Sequence, residues 1–130
     1  IDGVYLISAG DSKSAAWEQS HRLFYGLKNL ATAINTPILV TTQANREASD
    51  MFSPPKPNHV AFGDALIRAA DVALAMCGVE DEDDKRMVQF QKYRDGDLSQ
   101  NITYMQWGVN TGDIRELQGY TPAYFMLEDE

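Results

Sequence analysis

Apolar positions in the first third of the chain follow two rhythms. Ile1-Asp2-Gly3-Val4-Tyr5-Leu6-Ile7 is a run of β-formers with no cap or turn ahead of it, and predicts a strand already under way at the first residue, as in a fragment of a longer chain. Residues 8–14, Ser-Ala-Gly-Asp-Ser-Lys-Ser, predict a loop whose Ser12 or Ser14 caps the next helix. From 15 to 34 the period changes: Trp17, Leu23, Phe24, Leu27, Leu30, Ala31 and Ile34 recur at steps of three and four, which predicts an amphipathic helix with one face on a sheet. Asn35 ends it, and Pro37 forbids its continuation. Ile38, Leu39 and Val40 then come without alternation, as in a parallel strand buried on both faces. Strand, helix and strand together predict a right-handed βαβ unit.

Residues 44–61 hold Pro54, Pro55, Pro57, Asn58 and His59 and predict a long loop. Connections beyond about 12–15 residues in a compact domain are usually functional or disordered. A short helix over 62–70 leads through Asp71 into Val72-Ala73-Leu74-Ala75-Met76-Cys77, a second nearly continuous apolar strand. The acidic run over 79–85 predicts a solvated turn. Alternation in 86–94 and 100–107, broken at Asp95-Gly96, predicts an antiparallel hairpin, and 114–117 a short further strand. Residues 1–117 are thus expected to form one domain and 118–130 a peripheral tail.

Composition narrows the classes. A chain of 130 residues, 44% hydrophobic and 10% aromatic, can bury a core. Eleven basic against nineteen acidic residues give a net charge of −8, which argues against a protein that coats nucleic acid, though not against a local basic contact. The single cysteine, Cys77, excludes an internal disulfide and a cysteine-rich zinc site and fits a reducing, cytoplasmic setting. No apolar run approaches the roughly 18 residues of a membrane span.

Three places in this pattern could carry chemistry. Asp2 puts a carboxylate within or beside a buried strand, which is costly unless the charge is paired or binds a metal; the plainer alternative is a solvated chain end. Thr41-Thr42-Gln43-Ala44-Asn45-Arg46 ends a central strand in polar groups, where ligands of open α/β sheets bind; here the alternative is a strand leaving for a surface loop. Lys92 and Arg94, two apart, would share one side of a strand and invite an anion between them, or else stand solvated beside Asp95 and Asp97.

In order and spacing, these pieces resemble the second half of the RecA-like motor domain of DnaB-type replicative helicases. The likeness covers about residues 1–117. It rests on Ile1 to Ile7 as the Walker B strand, the helix with Gly26-Leu27-Lys28-Asn29-Leu30-Ala31, Pro37 to Arg46 as the glutamine-tipped strand, Ala70-Asp71-Val72 before the next strand, and Lys92-Tyr93-Arg94-Asp95-Gly96 as the lysine-x-arginine hairpin.

The resemblance implies the C-terminal half of an α/β, RecA-like P-loop NTPase core, with parallel strands, flanking helices and a C-terminal antiparallel hairpin. It implies a hexameric, ATP- or NTP- and magnesium-dependent enzyme that translocates on single-stranded DNA, with a primase or helicase loader as further partner. Asp2 would hold Mg²⁺ through its water shell, and Gln43 would sense the γ-phosphate. Lys92 and Arg94 would reach a neighbouring subunit's nucleotide, and the loops at 8–14 and 47–61, with Arg46, Lys56 and His59, would face DNA. The chain departs from the family in lacking G-x-x-x-x-G-K-[ST] and the upstream strand with the catalytic glutamate, so it should not hydrolyse nucleotide alone. Its channel loop also lacks a clear basic cluster. A recombination ATPase of RecA or RadA type, or a catalytically degenerate assembly or loading module, are the alternative expectations.

Overall fold

The 18-residue helix α1 (Ala16–Ala33) falls where the three-and-four spacing places it. Its N-cap is Ala15, with no side-chain cap. At its other end Asn35 takes the left-handed conformation (φ 48°), and the amides of Asn35 and Thr36 return to the Thr32 and Ala31 carbonyls at 3.2 and 3.0 Å. That is a Schellman ending with asparagine in the place usually given to glycine. The structure, a computed structural model, describes residues 1–7, 15–44, 51–60, 63–98 and 101–122; Ser12, Ser14, Asn45 and Arg46 lie outside these. Two compact units divide the chain, one formed by Ile1–Ala48 and Lys56–Asp71, the other by Ser49–Pro55 and Val72–Glu130.

In the first unit, α1 and α2 (Gly63–Ala69) enclose a small core of Val4, Phe24 and Ala69, with Leu23, Leu27, Val40, Ala65 and Leu66 against it. Lys28 ties the helices together. Its Nζ lies 2.6 Å from Asp71 Oδ1 and donates to the Ala69 carbonyl at 3.3 Å, so a cation sits at the C-terminal end of α2 where the exposed carbonyls favour it. Much of the α1 stripe is nonetheless uncovered: Trp17, Leu30 and Ile34 are exposed.

The two strands expected here do not form as such. Gly3 adopts φ 68°, ψ 51°, and Val4–Leu6 is a 3₁₀ turn, with Leu6 and Ile7 exposed. A left-handed glycine turns the chain out of extended geometry after two residues, and only glycine enters that region without cost. Residues 36–43 join no sheet, and Leu39 is 78% exposed rather than buried on both faces. What survives is a short parallel pairing. Ile1 N donates to Leu39 O (2.6 Å), Thr41 N to Ile1 O (2.9 Å) and Val4 N to Thr41 O (3.0 Å).

The second unit is a four-stranded antiparallel meander, β1 (Val72–Val79), β2 (Glu82–Tyr93), β3 (Ile102–Gly108) and β4 (Asp113–Glu116), in sequence order. The predicted hairpin and final short strand are present. The strand over 72–77 is the first correction to the parallel scheme. A two-residue turn at Glu80-Asp81, with Asp81 at φ 59°, sends the chain straight back as β2, whereas a parallel neighbour would need a crossover. β1 accordingly buries only alternate residues, Ala75, Cys77 and Val79, and leaves Val72, Leu74 and Met76 exposed. Cys77, Val79 and Met87 form the sheet's core under Tyr104, and Gly78 N donates to the Met51 carbonyl at 2.9 Å. The chain is therefore a mixed α/β protein whose sheet, among the described residues, is antiparallel. No helix among these residues is long and apolar enough to cross a membrane.

The acidic run is only partly a turn. Glu82 and Asp84 enter β2, where Lys85 Nζ meets Glu82 Oε2 at 2.7 Å and Asp84 Oδ1 at 3.3 Å, and Gln106 Nε2 donates to Asp84 Oδ2 at 2.7 Å. Tyr120, from the segment expected to be peripheral, donates its hydroxyl to Glu82 and packs edge-on against Tyr104 at 5.2 Å; Pro122 beyond it is fully buried. Burial, then the Glu82 carboxylate, push the Tyr120 phenol well above its ordinary value. The hydrogen bond to Glu82 raises Lys85, and the one from Gln106 lowers Asp84.

Truncating Phe24 to alanine should cost about 3–5 kcal/mol in denaturant unfolding followed by helical circular dichroism, whereas Lys28→Ala, which removes a largely solvated pair, should cost about 1 kcal/mol or less. A second expectation concerns alkali. Because Tyr120 and Lys85 hold their protons more tightly when folded, the stability they contribute is complete below the ordinary values of 10.0 and 10.5 and is lost as pH rises through the higher folded values. Ultraviolet titration should therefore show a last tyrosinate step that is missing in Tyr120→Phe. Asp84 acts in the opposite sense: its contribution is present above 3.8 and lost as pH falls.

Candidate functional site

The parallel pairing brings Asp2 and Thr41 together. The Thr41 hydroxyl donates to Asp2 Oδ1 and accepts from the Gly3 amide at 3.1 Å. In a regular parallel ladder the Gly3 amide would continue to the Thr41 carbonyl. The left-handed turn at Gly3 instead delivers it to the side chain, and Val4 takes the carbonyl. Glycine, carboxylate and threonine thus form one closed arrangement at an exposed rim. Thr41 is the member that the sequence pattern does not single out; its signal is the pair of consecutive hydroxyl residues ahead of Gln43, which as β-formers suit a plain strand equally well.

Gln43 is exposed, two residues beyond Thr41 and directly before Ala44, whose antiparallel bridge to Val60 closes the base of the long loop. The proposed metal carboxylate and the glutamine therefore belong to the same pair of segments. On that loop Lys56 is exposed, and its amide donates to His59 Nδ1 at 3.3 Å across the Pro57–His59 turn, which occupies one ring nitrogen. Arg46 is not among the described residues. Nothing in the described loop gathers cations.

Lys92 and Arg94 lie in the sheet unit, on either side of the end of β2. Ala73 pairs with Lys92 but Leu74 with Phe90, so Gln91 is an extra residue on β2. Such a bulge reverses the facing of the residues beyond it. Phe90 and Tyr93 share one face, their rings 6.0 Å apart, while Lys92 faces the other way with Ala73. Arg94 lies past the end of β2, exposed, in a turn closed by Gly96 N to Tyr93 O at 3.4 Å. Gly96 lies against the Tyr93 ring so closely that a Cβ there would stand 1.9 Å from Tyr93 Cδ1. The glycine of Lys-Tyr-Arg-Asp-Gly is thus what lets the turn fold over the tyrosine and present Arg94.

Magnesium keeps most of its waters and takes one or two carboxylates besides phosphate oxygens. A single exposed carboxylate, fixed through one oxygen by a hydroxyl, fits an outer ligand of that kind. Among the described residues no three His, Cys, Asp or Glu side chains converge, so an all-protein cage for a metal is absent from them. No sequence of phosphate-loop type occurs in the 130 residues.

Gly96→Ala should force the Tyr93 ring off the turn, altering the near-ultraviolet circular dichroism and destabilising the sheet by about 1 kcal/mol or more; an unchanged spectrum would mean the ring is not held there. No protein-family model matches this chain, nor does any curated protein sequence.

Proposed function

We propose that the chain is the C-terminal part of a RecA-like motor domain from a hexameric replicative DNA helicase, which couples NTP hydrolysis at subunit interfaces to movement along single-stranded DNA. The observation that carries this is the parallel pairing of 1–4 with 39–41, which brings an acidic residue and a glutamine-ended segment to one rim. Motor chemistry needs both there. A carboxylate holds hydrated Mg²⁺ on the phosphates, and beside it a neutral amide can accept and donate without changing the charge of the site. Bound Mg²⁺ would neutralise charge on the phosphates; Asp2 would hold it, Gln43 would respond to the γ-phosphate, and Arg94, with Lys92 beside it, would stabilise charge on a neighbouring subunit's nucleotide. An arginine in that role contributes about 10³ to 10⁵ in rate in P-loop enzymes.

In this reading the phosphate loop comes from outside these 130 residues, and the exposed Leu39, Trp17 and Leu30 are surfaces that the rest of the motor covers. The net charge of −8 and the absence of a cationic cluster in the described loop favour, as second reading, a degenerate module that assembles with a motor or loads it.

In the full-length protein carrying a phosphate loop, Arg94→Ala should abolish hydrolysis while nucleotide affinity stays near the parental value. Gln43→Ala should bind nucleotide and single-stranded DNA yet lose DNA-stimulated turnover. Full turnover in the first, or parental stimulation in the second, removes that residue from the site; a parent that assembles into rings without hydrolysing favours the second reading.

A further inference from the structure

We infer that Thr41 is a positioning residue whose hydroxyl fixes the Asp2 carboxylate for magnesium and couples it to the segment bearing Gln43, an inference that rests on the proposed motor function. An exposed aspartate ordinarily samples several rotamers. Here its Oδ1 accepts from the Thr41 hydroxyl, and the same oxygen of Thr41 accepts from Gly3 N at 3.1 Å. With the amide supplying its acceptor contact, the hydroxyl proton is directed to the carboxylate. The donor is also fixed in space, because the Thr41 backbone is bonded at both its amide and its carbonyl, to Ile1 and Val4.

Asp2 Oδ1 is thereby engaged within the protein, which orients the carboxylate without cancelling its charge. Moreover, any displacement of the segment ending in Gln43 moves the donor, and with it the carboxylate, because Gln43 stands only two residues beyond Thr41. The γ-phosphate response assigned to Gln43 and the metal position assigned to Asp2 are then mechanically one event. Outer ligands of metal-binding groups typically influence metal affinity or activity about 10- to 100-fold.

Thr41→Val keeps the branched shape and the backbone bonds but removes the hydroxyl; Thr41→Ser restores it. In the 130-residue chain, three-bond couplings should show one dominant Asp2 χ1 rotamer in the parent and in Thr41→Ser, and averaging in Thr41→Val, with the Gly3 amide exchanging faster. In the full-length protein, Thr41→Val should raise the Mg²⁺ concentration for half-maximal hydrolysis by about 10-fold or more, while Thr41→Ser stays near the parent. A valine variant with a fixed Asp2 rotamer and parental Mg²⁺ dependence overturns the inference and leaves the motor reading standing. A parent that shows a fixed rotamer but no Mg²⁺-dependent hydrolysis overturns the motor reading and the metal role with it.

Discussion

The candidate site of the helical unit depends on four hydrogen bonds made by Thr41, which joins Ile1, Asp2, Gly3 and Val4 through its amide, carbonyl and hydroxyl. Neither partner segment is a strand in a sheet, and Ile1, Asp2, Leu39 and Thr41 are exposed. Hydrogen bonding therefore does here what burial does in a central strand. Such bonds contribute only about 0.5–1.5 kcal/mol each, and less where water competes, so the small core of Val4, Phe24 and Ala69 must anchor the segments from below. Val4 belongs to both arrangements. Its side chain is fully buried while its amide closes the pairing with Thr41.

The sheet solves a different problem. The acidic run from Glu80 to Asp84 concentrates like charges at the β1–β2 turn. Lys85 between Glu82 and Asp84, with Gln106 and Tyr120 beside them, offsets part of that repulsion by giving both of these carboxylates a donor. Tyr120 serves twice, as an apolar lid on Tyr104 and as a hydroxyl for Glu82.

Elements set by local chemistry were legible in the sequence. The period of α1, its asparagine ending and the Asp-Gly break in the hairpin each rest on neighbouring residues, and each appears where expected. What escaped was decided by single backbone events. Gly3 in a left-handed conformation ended a strand that composition favoured, Asp81 in the same region made an antiparallel hairpin from a sequence apolar enough for a parallel strand, and an extra residue at Gln91 put Phe90 and Tyr93 on one face of β2, which ends before Arg94. Glycine at position 3 was a visible warning. An aspartate φ and a bulge register are set by the assembled sheet and leave no mark on hydrophobic period. At the site, Asp2 was legible as a carboxylate needing a reason, while Thr41 was not, because a hydroxyl becomes informative only when its two partners are known.

The meander pairs each strand with the next in sequence, so every ladder closes over a short stretch of chain. The Asp2 rim is the reverse: its bonds join residues 37 to 40 positions apart, and Lys28 reaches 43 positions to Asp71. Closing loops of that size costs chain entropy before any contact repays it. During refolding the hairpins can therefore form while the rim is still open. A ligand that gripped it would act as a clasp on a long-range closure of the helical unit.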